Sequence, residues 1–322
     1  MKFLFILVSE ENDIYYEQTL VSVVSLRRRN PDAFISLVVD DKTDASLKGF
    51  RAAIKEYVQE YKVFPFDSSV TNMVRSRLLK TNMRNLIEGD FLFLDGDTAV
   101  VSELDGAFDD SVDIGAVADL HSRENDKYRM KHKKFNLNIK KTGFGLSLAD
   151  LYFNSGVIFA RDNERAHAFC DKWHELYKQC AEKGIFTDQL SFNECNRVLG
   201  NPMKEIAGEW NCQVREAYNH LTRVKTIYPI LCKAKIVHFF GSGIDGKKEP
   251  HPLMKKDFFK QVKKDQSLTP STLDIIDHAR TKFVGAPETL NPEIKFPLFF
   301  IYRQFPRFFK TILFFKGLFG NA

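Results

Sequence analysis

Two aspartates separated by a single glycine, Asp95 and Asp97, directly follow the apolar run 91–94. A short run that is apolar throughout is typical of a strand buried on both faces, as in the middle of a parallel sheet. Because ligands of open α/β sheets bind outside the carboxyl ends of the strands, we expect both carboxylates at a functional edge. Hard oxygen ligands at such an edge suit a divalent cation. The same triplet is also typical of a simple Asp-Gly turn, so spacing alone leaves both interpretations open.

Further polar groups stand at the starts of later elements. The tripeptide Asn154-Ser155-Gly156 opens the predicted strand 152–161, and its small polar residues would let a ligand approach the backbone. Asp188 and Gln189 begin a predicted helix after Thr187, a residue type that caps helix N-termini well. Asp188 could act on a ligand, or it could serve only as a favourable charge at the positive end of the helix dipole.

A histidine, His238, lies near the end of the predicted strand 236–240. It stands just before the glycine-rich turn 241–248, which carries two lysines. Histidine in such a place is most often structural. Backbone amides and ammonium groups of a turn like this can, however, surround a diphosphate.

Alternating apolar strands and helical segments position these residues, and this alternation is the signature of an α/β fold. No G-x-G-x-x-G motif follows the first strand, which disfavours an NAD-dependent enzyme. The predicted strands are 3–8, 34–39, 63–64, 91–94, 112–118, 152–161 and 236–240, and the predicted helices include 45–61, 71–87 and a segment with an apolar stripe from Ala166 to Cys180.

Composition fits a globular protein with a sizeable core: the 322 residues are 44% hydrophobic and 28% charged. The net charge of +5 is a mild excess that favours anionic partners without naming one. Five scattered cysteines without C-x-x-C spacing argue against a disulfide framework or a zinc site and fit a reducing cytoplasm. The apolar start is predicted to be a first strand and not a signal peptide, and no run reaches the roughly 20 apolar residues of a membrane-spanning helix.

The segment 121–141 is polar, basic and poor in branched apolar residues. It is typical of a solvated loop, and a long loop inside a compact domain can also serve as a lid. A lid of this composition would be a cationic cover over an anionic substrate.

Five motifs follow one another along the chain: Arg77-Leu78-Leu79-Lys80, Asp95 and Asp97, Asn154-Ser155-Gly156, Asp188-Gln189 and His238-Phe239-Phe240-Gly241. In order and spacing they resemble those of glycosyltransferase family 8, the retaining galactosyl- and glucosyltransferases of GT-A fold. Family members usually have Lys-Pro-Trp six residues after the histidine. Here Ile244 stands at that position, and the lysines come later, at Lys247 and Lys248.

The resemblance implies a role for each matched position. Asp95, Asp97 and His238 would ligate Mn²⁺ (or Mg²⁺), and the metal would hold the diphosphate of a UDP-sugar donor. The catalytic group around the transferred sugar would be Asn154, Asp188 and Gln189, with Gln189 near the anomeric carbon. Remaining contacts to the donor would come from Val8, Ser9, Arg77, Gly96, Ser155, Gly241 and Lys247, with Lys248 an alternative to Lys247.

The fold implied is the GT-A nucleotide-diphospho-sugar transferase fold, a Rossmann-like mixed α/β sheet flanked by helices. The function implied is metal-dependent transfer of galactose or glucose from a UDP-sugar to a glycan acceptor, with retention, in lipopolysaccharide or surface polysaccharide synthesis. Two alternatives stay open: another nucleotide-diphospho-sugar transferase of the same fold, and a non-catalytic nucleotide-sugar binder.

The end of the chain, 295–322, has nine phenylalanines, one tyrosine, five Lys/Arg and no acidic residue. This composition favours an interfacial segment on an anionic membrane, and the alternative is a helix packed on the catalytic domain or on a dimer partner. We therefore expect a catalytic domain at 1–254, a linker or short helical region at 255–294, and this tail. The expected location is the cytoplasmic face of the cell membrane, with a glycan or lipid-linked saccharide as acceptor and no nucleic acid partner.

Overall fold

The computed structural model describes residues 1–106, 108–121, 133–147, 150–214, 221–239 and 251–280, together with residues 305 and 308. The side chains of residues 133, 134 and 221–225 lie outside this description. The predicted glycine–lysine turn 241–248, most of the segment 121–132 and nearly all of the tail also lie outside it.

A seven-stranded mixed sheet forms the centre of the molecule, in the order β3-β2-β1-β4-β7-β6-β8. Strands β3, β2, β1 and β4 run parallel, and β7 is antiparallel to both of its neighbours. The α/β class and the mixed sheet are therefore as predicted. The strands are β1 Lys2–Leu7, β2 Phe34–Asp40, β3 Glu60–Phe64, β4 Phe91–Leu94, β5 Thr98–Val100, β6 Ile114–Ala118, β7 Phe153–Ala160, β8 Lys204–Glu205, β9 Cys212–Gln213 and β10 Ile236–His238.

Helices flank this sheet, and their apolar side chains join its two large hydrophobic clusters. In α5 the predicted stripe is confirmed: Phe169, Trp173 and Tyr177 are all buried. The helices are α1 Tyr15–Arg29, α2 Asp41–Ser46, α3 Asn72–Thr81, α4 Lys133–Thr142, α5 Glu164–Glu182, α6 Asp188–Val198, α7 Leu221–Cys232, α8 Lys256–Asp265 and α9 Pro270–Asp277. Within the described residues, no helix combines the length and apolarity that crossing a membrane requires.

A second, three-stranded sheet has the order β5-β10-β9 and brings His238 back to the end of the central strand β4. Strand β10 pairs antiparallel with β5, and His238 lies opposite Thr98 in that register. Since Thr98 directly follows Asp97, this pairing places residues 140 positions apart in the chain beside each other. The small sheet therefore brings His238 to the two aspartates of the candidate site.

Several predicted elements differ from the structure, and one of them is the helix predicted over 71–87, which ends at Thr81. The helix predicted over 45–61 is wrong: the chain forms the short α2, a 3₁₀ helix at Gly49–Tyr57 and then β3. Residues 133–142, predicted as part of a loop, form helix α4, whose apolar residues Phe135 and Ile139 pack against a cluster below it. That amphipathic spacing sits among so many lysines that it was hidden in the sequence.

Residues 256–277, predicted as a linker or short helices, form the two helices α8 and α9, and these pack on the catalytic core. Phe259 and Ile276 are 1% and 2% exposed and belong to the same hydrophobic cluster as β1 and α1. Arg28 on α1 also makes a bidentate ion pair with the carboxylate of Asp277 at the end of α9. The core therefore continues past residue 254, to at least Ala279.

Candidate active site

The turn after β4 holds the two aspartates in fixed positions. The backbone N–H of Asp95 donates to the carbonyl of Gly156 at 2.8 Å, and the carbonyl of Asp97 accepts from the N–H of Phe239 at 3.0 Å. A Cβ atom on Gly96 would lie 2.3 Å from Oγ1 of Thr19, so only glycine allows the turn to pack this tightly on α1. The turn is thus tied to β7, β10 and α1 at once.

Asp95, Asp97 and His238, the three residues predicted as metal ligands, lie together in a cluster that could hold a metal ion. One ligand atom from each residue lies within 4.8 Å of the others. His238 is buried, and its Nε2 lies 3.2 Å from Oδ1 of Asp97. Two carboxylate oxygens and one imidazole nitrogen form a donor set that suits Mn²⁺ or Mg²⁺.

A chain of side-chain amides determines which nitrogen of His238 faces the aspartates. The N–H of Gly156 donates to Oδ1 of Asn154 at 2.9 Å, which identifies that atom as the oxygen. The same oxygen accepts from Nδ2 of Asn211 at 2.9 Å, so Oδ1 of Asn211 is the atom 3.1 Å from Nδ1 of His238. Nδ1 therefore carries a proton, and Nε2 is the nitrogen that can offer a lone pair to a cation.

Gly156 also makes room for the His238 ring. A Cβ atom at this position would lie 2.2 Å from Cε1 of His238, a distance that no side chain tolerates. The glycine of the Asn-Ser-Gly motif is thus needed for a residue in β10 as well as for any ligand. The close contact between Gly156 and His238 shows that the backbone of β7 helps to fix the position of the imidazole ring.

Two cations on α3 reach the neighbouring carboxylate Asp188. Nε of Arg77 lies 2.9 Å from its Oδ1, and Nζ of Lys80 lies 3.0 Å from its Oδ2. Arg77 and Lys80 are three residues apart and so share one face of the helix. Burial by itself raises the pKa of Asp188, but the two cations outweigh it and hold that pKa far below its ordinary value. Asp188 is therefore anionic at neutral pH.

Lys80 joins this group to the metal cluster. Its Nζ also lies 3.0 and 3.1 Å from the two oxygens of Asp95. Burial, reinforced by the neighbouring Asp97, raises the pKa of Asp95, whereas at Asp97 burial is outweighed by the charge of His238 in its protonated form, which lowers the pKa. The two aspartates are thus held in different electrostatic environments.

Asn154, Ser155 and Gln189 complete a polar pocket beside Asp188. The hydroxyl of Ser155 donates to Oδ2 of Asp188 at 2.8 Å, and Nδ2 of Asn154 contacts Oε1 of Gln189 at 3.2 Å and Oδ1 of Asp119 at 3.0 Å. Asp188 begins α6 as predicted. Thr187 stands before it, but its side chain makes no capping hydrogen bond.

Two adjoining cavities open onto these residues. One, of about 410 Å³, is bounded by Asp188, Gln189 and Asn154 and has an apolar side at Tyr152 and Phe135. The other, of about 740 Å³, runs from Asp97 to the end of β1 at Val8. One or both cavities are lined by the predicted site residues Val8, Arg77, Asp95, Gly96, Asp97, Asn154, Ser155, Asp188, Gln189 and His238, together with Lys80.

Ser9 was also predicted to contact the donor. Among the described residues, it is the one predicted site residue that lines neither cavity. Its hydroxyl donates to Oδ1 of Asp13 at 2.7 Å, and the Arg51 guanidinium contacts it at 3.1 Å. The side chain is 2% exposed and lies outside the walls of both cavities. Gly241 and Lys247 lie outside the described residues.

Sequence reasoning named no role for Lys80, Asn211, Asp119 or Asn138. Lys80 had one usable signal, its spacing of three residues from Arg77 on a helix. Asn211 had none, because it lies in a 3₁₀ helix far from every motif and reaches His238 only through the small sheet. Asn138 lines both cavities from α4, the helix that had been predicted as a loop.

The sequence matches the family model described as glycosyl transferase family 8 over residues 6–243, which is more than half of the chain. The chain belongs to glycosyltransferase family 8. A comparison with curated proteins finds no significant match.

Solved structures support the same fold. The galactosyltransferase LgtC, in complex with donor and acceptor sugar analogues, superposes with a TM-score of 0.51 at 15% identity, covering 86% of this chain and 100% of that one. The glycosyltransferase GlyE of Streptococcus pneumoniae TIGR4 superposes with a TM-score of 0.50 at 16% identity, covering 90% of this chain and 65% of that one. This family 8 chain therefore has the GT-A glycosyltransferase fold predicted from its motifs.

Proposed function

We propose that the protein is a divalent-metal-dependent hexosyltransferase that moves galactose or glucose from a UDP-sugar to a glycan acceptor with retention of configuration. The observation that carries this proposal is the placement of a two-carboxylate and histidine cluster beside a polar pocket that contains an anionic carboxylate. Family 8 membership supports a glycosyltransferase in general. The UDP-hexose donor and the retaining course are our extension from the family resemblance.

Asp95, Asp97 and His238 are the residues that would hold Mn²⁺ or Mg²⁺. When bound there, the cation acts as a Lewis acid that stabilises the negative charge of a departing diphosphate. The larger cavity, which runs from these residues to Val8, is the place for the nucleotide. Lys247 or Lys248, in the turn predicted from the sequence over 241–248, would add a second positive charge beside the leaving group.

The smaller cavity is the place for the transferred sugar. Asp188, held anionic by Arg77 and Lys80, would accept hydrogen bonds from sugar hydroxyls, and Asn154 and Gln189 would orient the ring. Because Asp188 is neutralised by two cations, it is a poor nucleophile. This favours hydrogen bonding, not covalent attack, as its role during transfer.

The test of this proposal is hydrolysis of UDP-glucose and UDP-galactose by the wild type and by Asp97→Ala, with and without Mn²⁺. We expect Mn²⁺-dependent release of UDP by the wild type and a loss of at least about 100-fold in the variant, as for removal of one strong transition-state interaction. Asp105→Ala is the matched control, since Asp105 is exposed and pairs with Lys235 away from the site. Equal turnover by the wild type and Asp97→Ala would sink the metal assignment.

We propose further that residues 295–322 hold the enzyme at the anionic inner face of the cell membrane, where lipid-linked saccharide acceptors are found. The support is compositional: nine phenylalanines and five Lys/Arg in one segment. Its two described residues, Phe305 and Phe308, are 56% and 58% exposed.

Flotation with liposomes tests the membrane proposal. The full chain should float with vesicles that contain phosphatidylglycerol and much less with phosphatidylcholine alone. A chain ending at residue 294 should stay at the bottom in both cases. Unchanged flotation after this truncation would refute an anchor in the tail.

A further inference from the structure

Lys80 bridges the two halves of the candidate site. Its Nζ contacts Asp95 of the metal cluster at 3.0 and 3.1 Å and Asp188 of the sugar pocket at 3.0 Å. The side chain is 3% exposed and runs along the Phe93 ring, with Nζ 5.0 Å from the ring centroid. The ammonium therefore reaches the site from the protein interior and not from solvent.

A buried lysine needs partners, because an uncompensated ammonium in the interior is strongly destabilising. Here both oxygens of Asp95 and one of Asp188 surround it, while Arg77 takes the other oxygen of Asp188. Arg77 alone could hold Asp188. Lys80 adds a contact that Arg77 does not make, a direct charge on Asp95.

The charges at the site show what that contact does. Three carboxylates, Asp95, Asp97 and Asp188, face two permanent cations, Arg77 and Lys80, so this group, which does not include Asp119 beyond Asn154, carries a net charge near −1 when His238 is neutral. Without Lys80 it would be near −2. A divalent cation would bind the more negative site better, and a diphosphate would bind it worse.

We propose that Lys80 is a positioning residue that makes the site select a metal ion together with a diphosphate over the metal ion alone. By neutralising Asp95 it weakens the attraction of the three carboxylates for a free cation. The same charge favours the anionic diphosphate that arrives with the cation, and it keeps Asp188 aligned with the sugar. This inference rests on the function proposed above.

A purely structural lysine would behave differently. If Lys80 only stabilised the packing of α3 on β4, its removal would loosen both carboxylates, and binding of every ligand would weaken together. The electrostatic role predicts opposite changes for a cation and an anion. The direction of two separate affinities therefore distinguishes the two roles.

The experiment compares the wild type with Lys80→Met and Lys80→Gln, the second of which keeps a hydrogen-bond donor while losing the charge. Binding of Mn²⁺ without nucleotide is measured by electron paramagnetic resonance of the free ion. Binding of UDP in EDTA is measured by calorimetry. We expect both variants to bind Mn²⁺ about 3- to 10-fold more tightly and UDP about 3- to 10-fold more weakly, as one charge at this distance predicts in a partly solvated site.

Lys62→Met is the matched control, because Lys62 is a partly buried lysine that contacts Glu60 and the carbonyl of Leu86 outside the site. It should leave both affinities unchanged, and circular dichroism confirms that each variant is folded. Mn²⁺ affinity that falls in both Lys80 variants, or changes less than about twofold, overturns the inference while the proposed function stands. A wild type that binds neither Mn²⁺ nor UDP overturns both.

Discussion

Nδ1 of His238 lies 3.1 Å from Oδ1 of Asn211, and this contact orients the histidine of the candidate metal cluster. Asn211 is completely buried, and its amide nitrogen is held by Asn154 at 2.9 Å. The asparagine therefore cannot turn its oxygen away without breaking a second hydrogen bond. It fixes both the plane of the His238 ring and the nitrogen that carries the proton.

Replacing Asn211 by leucine should weaken Mn²⁺ binding by about 10- to 100-fold, the usual cost of removing a group that orients a metal ligand. The leucine has nearly the same size but accepts no hydrogen bond, so the imidazole can adopt either tautomer and can rotate. The measurement is a Mn²⁺ titration in the presence of UDP.

Asn196→Leu provides the control for this variant. Asn196 is also a buried asparagine, and it bonds Asn201 and the N–H of Met203 at the far end of α6. Both variants should lose stability, but only Asn211→Leu should lose Mn²⁺ affinity. If Asn211→Leu and Asn196→Leu both bind Mn²⁺ as tightly as the wild type, Asn211 does not orient His238 for metal binding.

The site shows what a sequence can and cannot predict. Asp95 and Asp97 were predictable because they follow a parallel strand, and ligands of such sheets bind outside the carboxyl ends of the strands. Asn154 and Asp188 stand at the starts of β7 and α6, where short polar residues also marked them in the sequence. Ser9 follows the same rule and still misses the cavities. Its hydroxyl is taken by Asp13 and Arg51, a competition among local partners that no spacing rule reveals.

Asn211 was missed for a different reason. Its role depends on the register of β10 against β5 and β9, three strands of two or three residues each. Strands this short leave almost no periodicity in the sequence. Helices α8 and α9 were predicted only as a linker or short helical region, whereas their apolar residues Phe259 and Ile276 belong to the same core as β1 and α1.

Gly156→Ala should destabilise the protein by about 1 to 3 kcal/mol, the usual cost of overpacking a buried position. The new methyl group would lie 2.2 Å from Cε1 of His238. Chemical unfolding measures the loss. In a His238→Ala background the same substitution should cost much less, because the ring that it meets is gone.

This double-mutant comparison separates crowding from a general effect on β7. Equal destabilisation in the two backgrounds would show that Gly156 does not make room for the histidine. A coupling of more than about 1 kcal/mol would establish that it does.

Phe259→Ala in α8 should lower the stability of the whole catalytic domain by about 3 to 5 kcal/mol, the cost of emptying a buried aromatic site. Phe259 is 1% exposed and stacks 6.0 Å from Phe239, the residue after β10. Thermal unfolding should remain a single transition at a lower temperature. Phe258→Ala is the neighbouring control, because Phe258 is only partly buried and should cost less. Two separate transitions would instead indicate that α8 and α9 form an independent unit.

Stability should fall as the pH drops from about 6.5 to about 4 because of His174. Burial and the nearby Lys178 lower the pKa of this histidine to about 4 from its ordinary 6.5, against the opposing charge of Asp171. Nδ1 of His174 lies 2.7 Å from the hydroxyl of Thr81 at the end of α3, a contact that the neutral ring makes without a buried charge. In this range the unfolded chain therefore binds a proton that the folded chain does not, and protonation favours unfolding.

The expected loss from His174 is about 1 to 2 kcal/mol between pH 7 and pH 5, allowing for solvent screening of a partly exposed group. Urea unfolding at the two pH values measures it. Other groups also titrate in this range, so the comparison is with His174→Asn, which keeps a partner for Thr81 and cannot gain a charge. Between pH 7 and pH 5, the free energy of unfolding of His174→Asn should fall by about 1 to 2 kcal/mol less than that of the wild type. Parallel losses in the two proteins would show that His174 is not protonated on unfolding in this range.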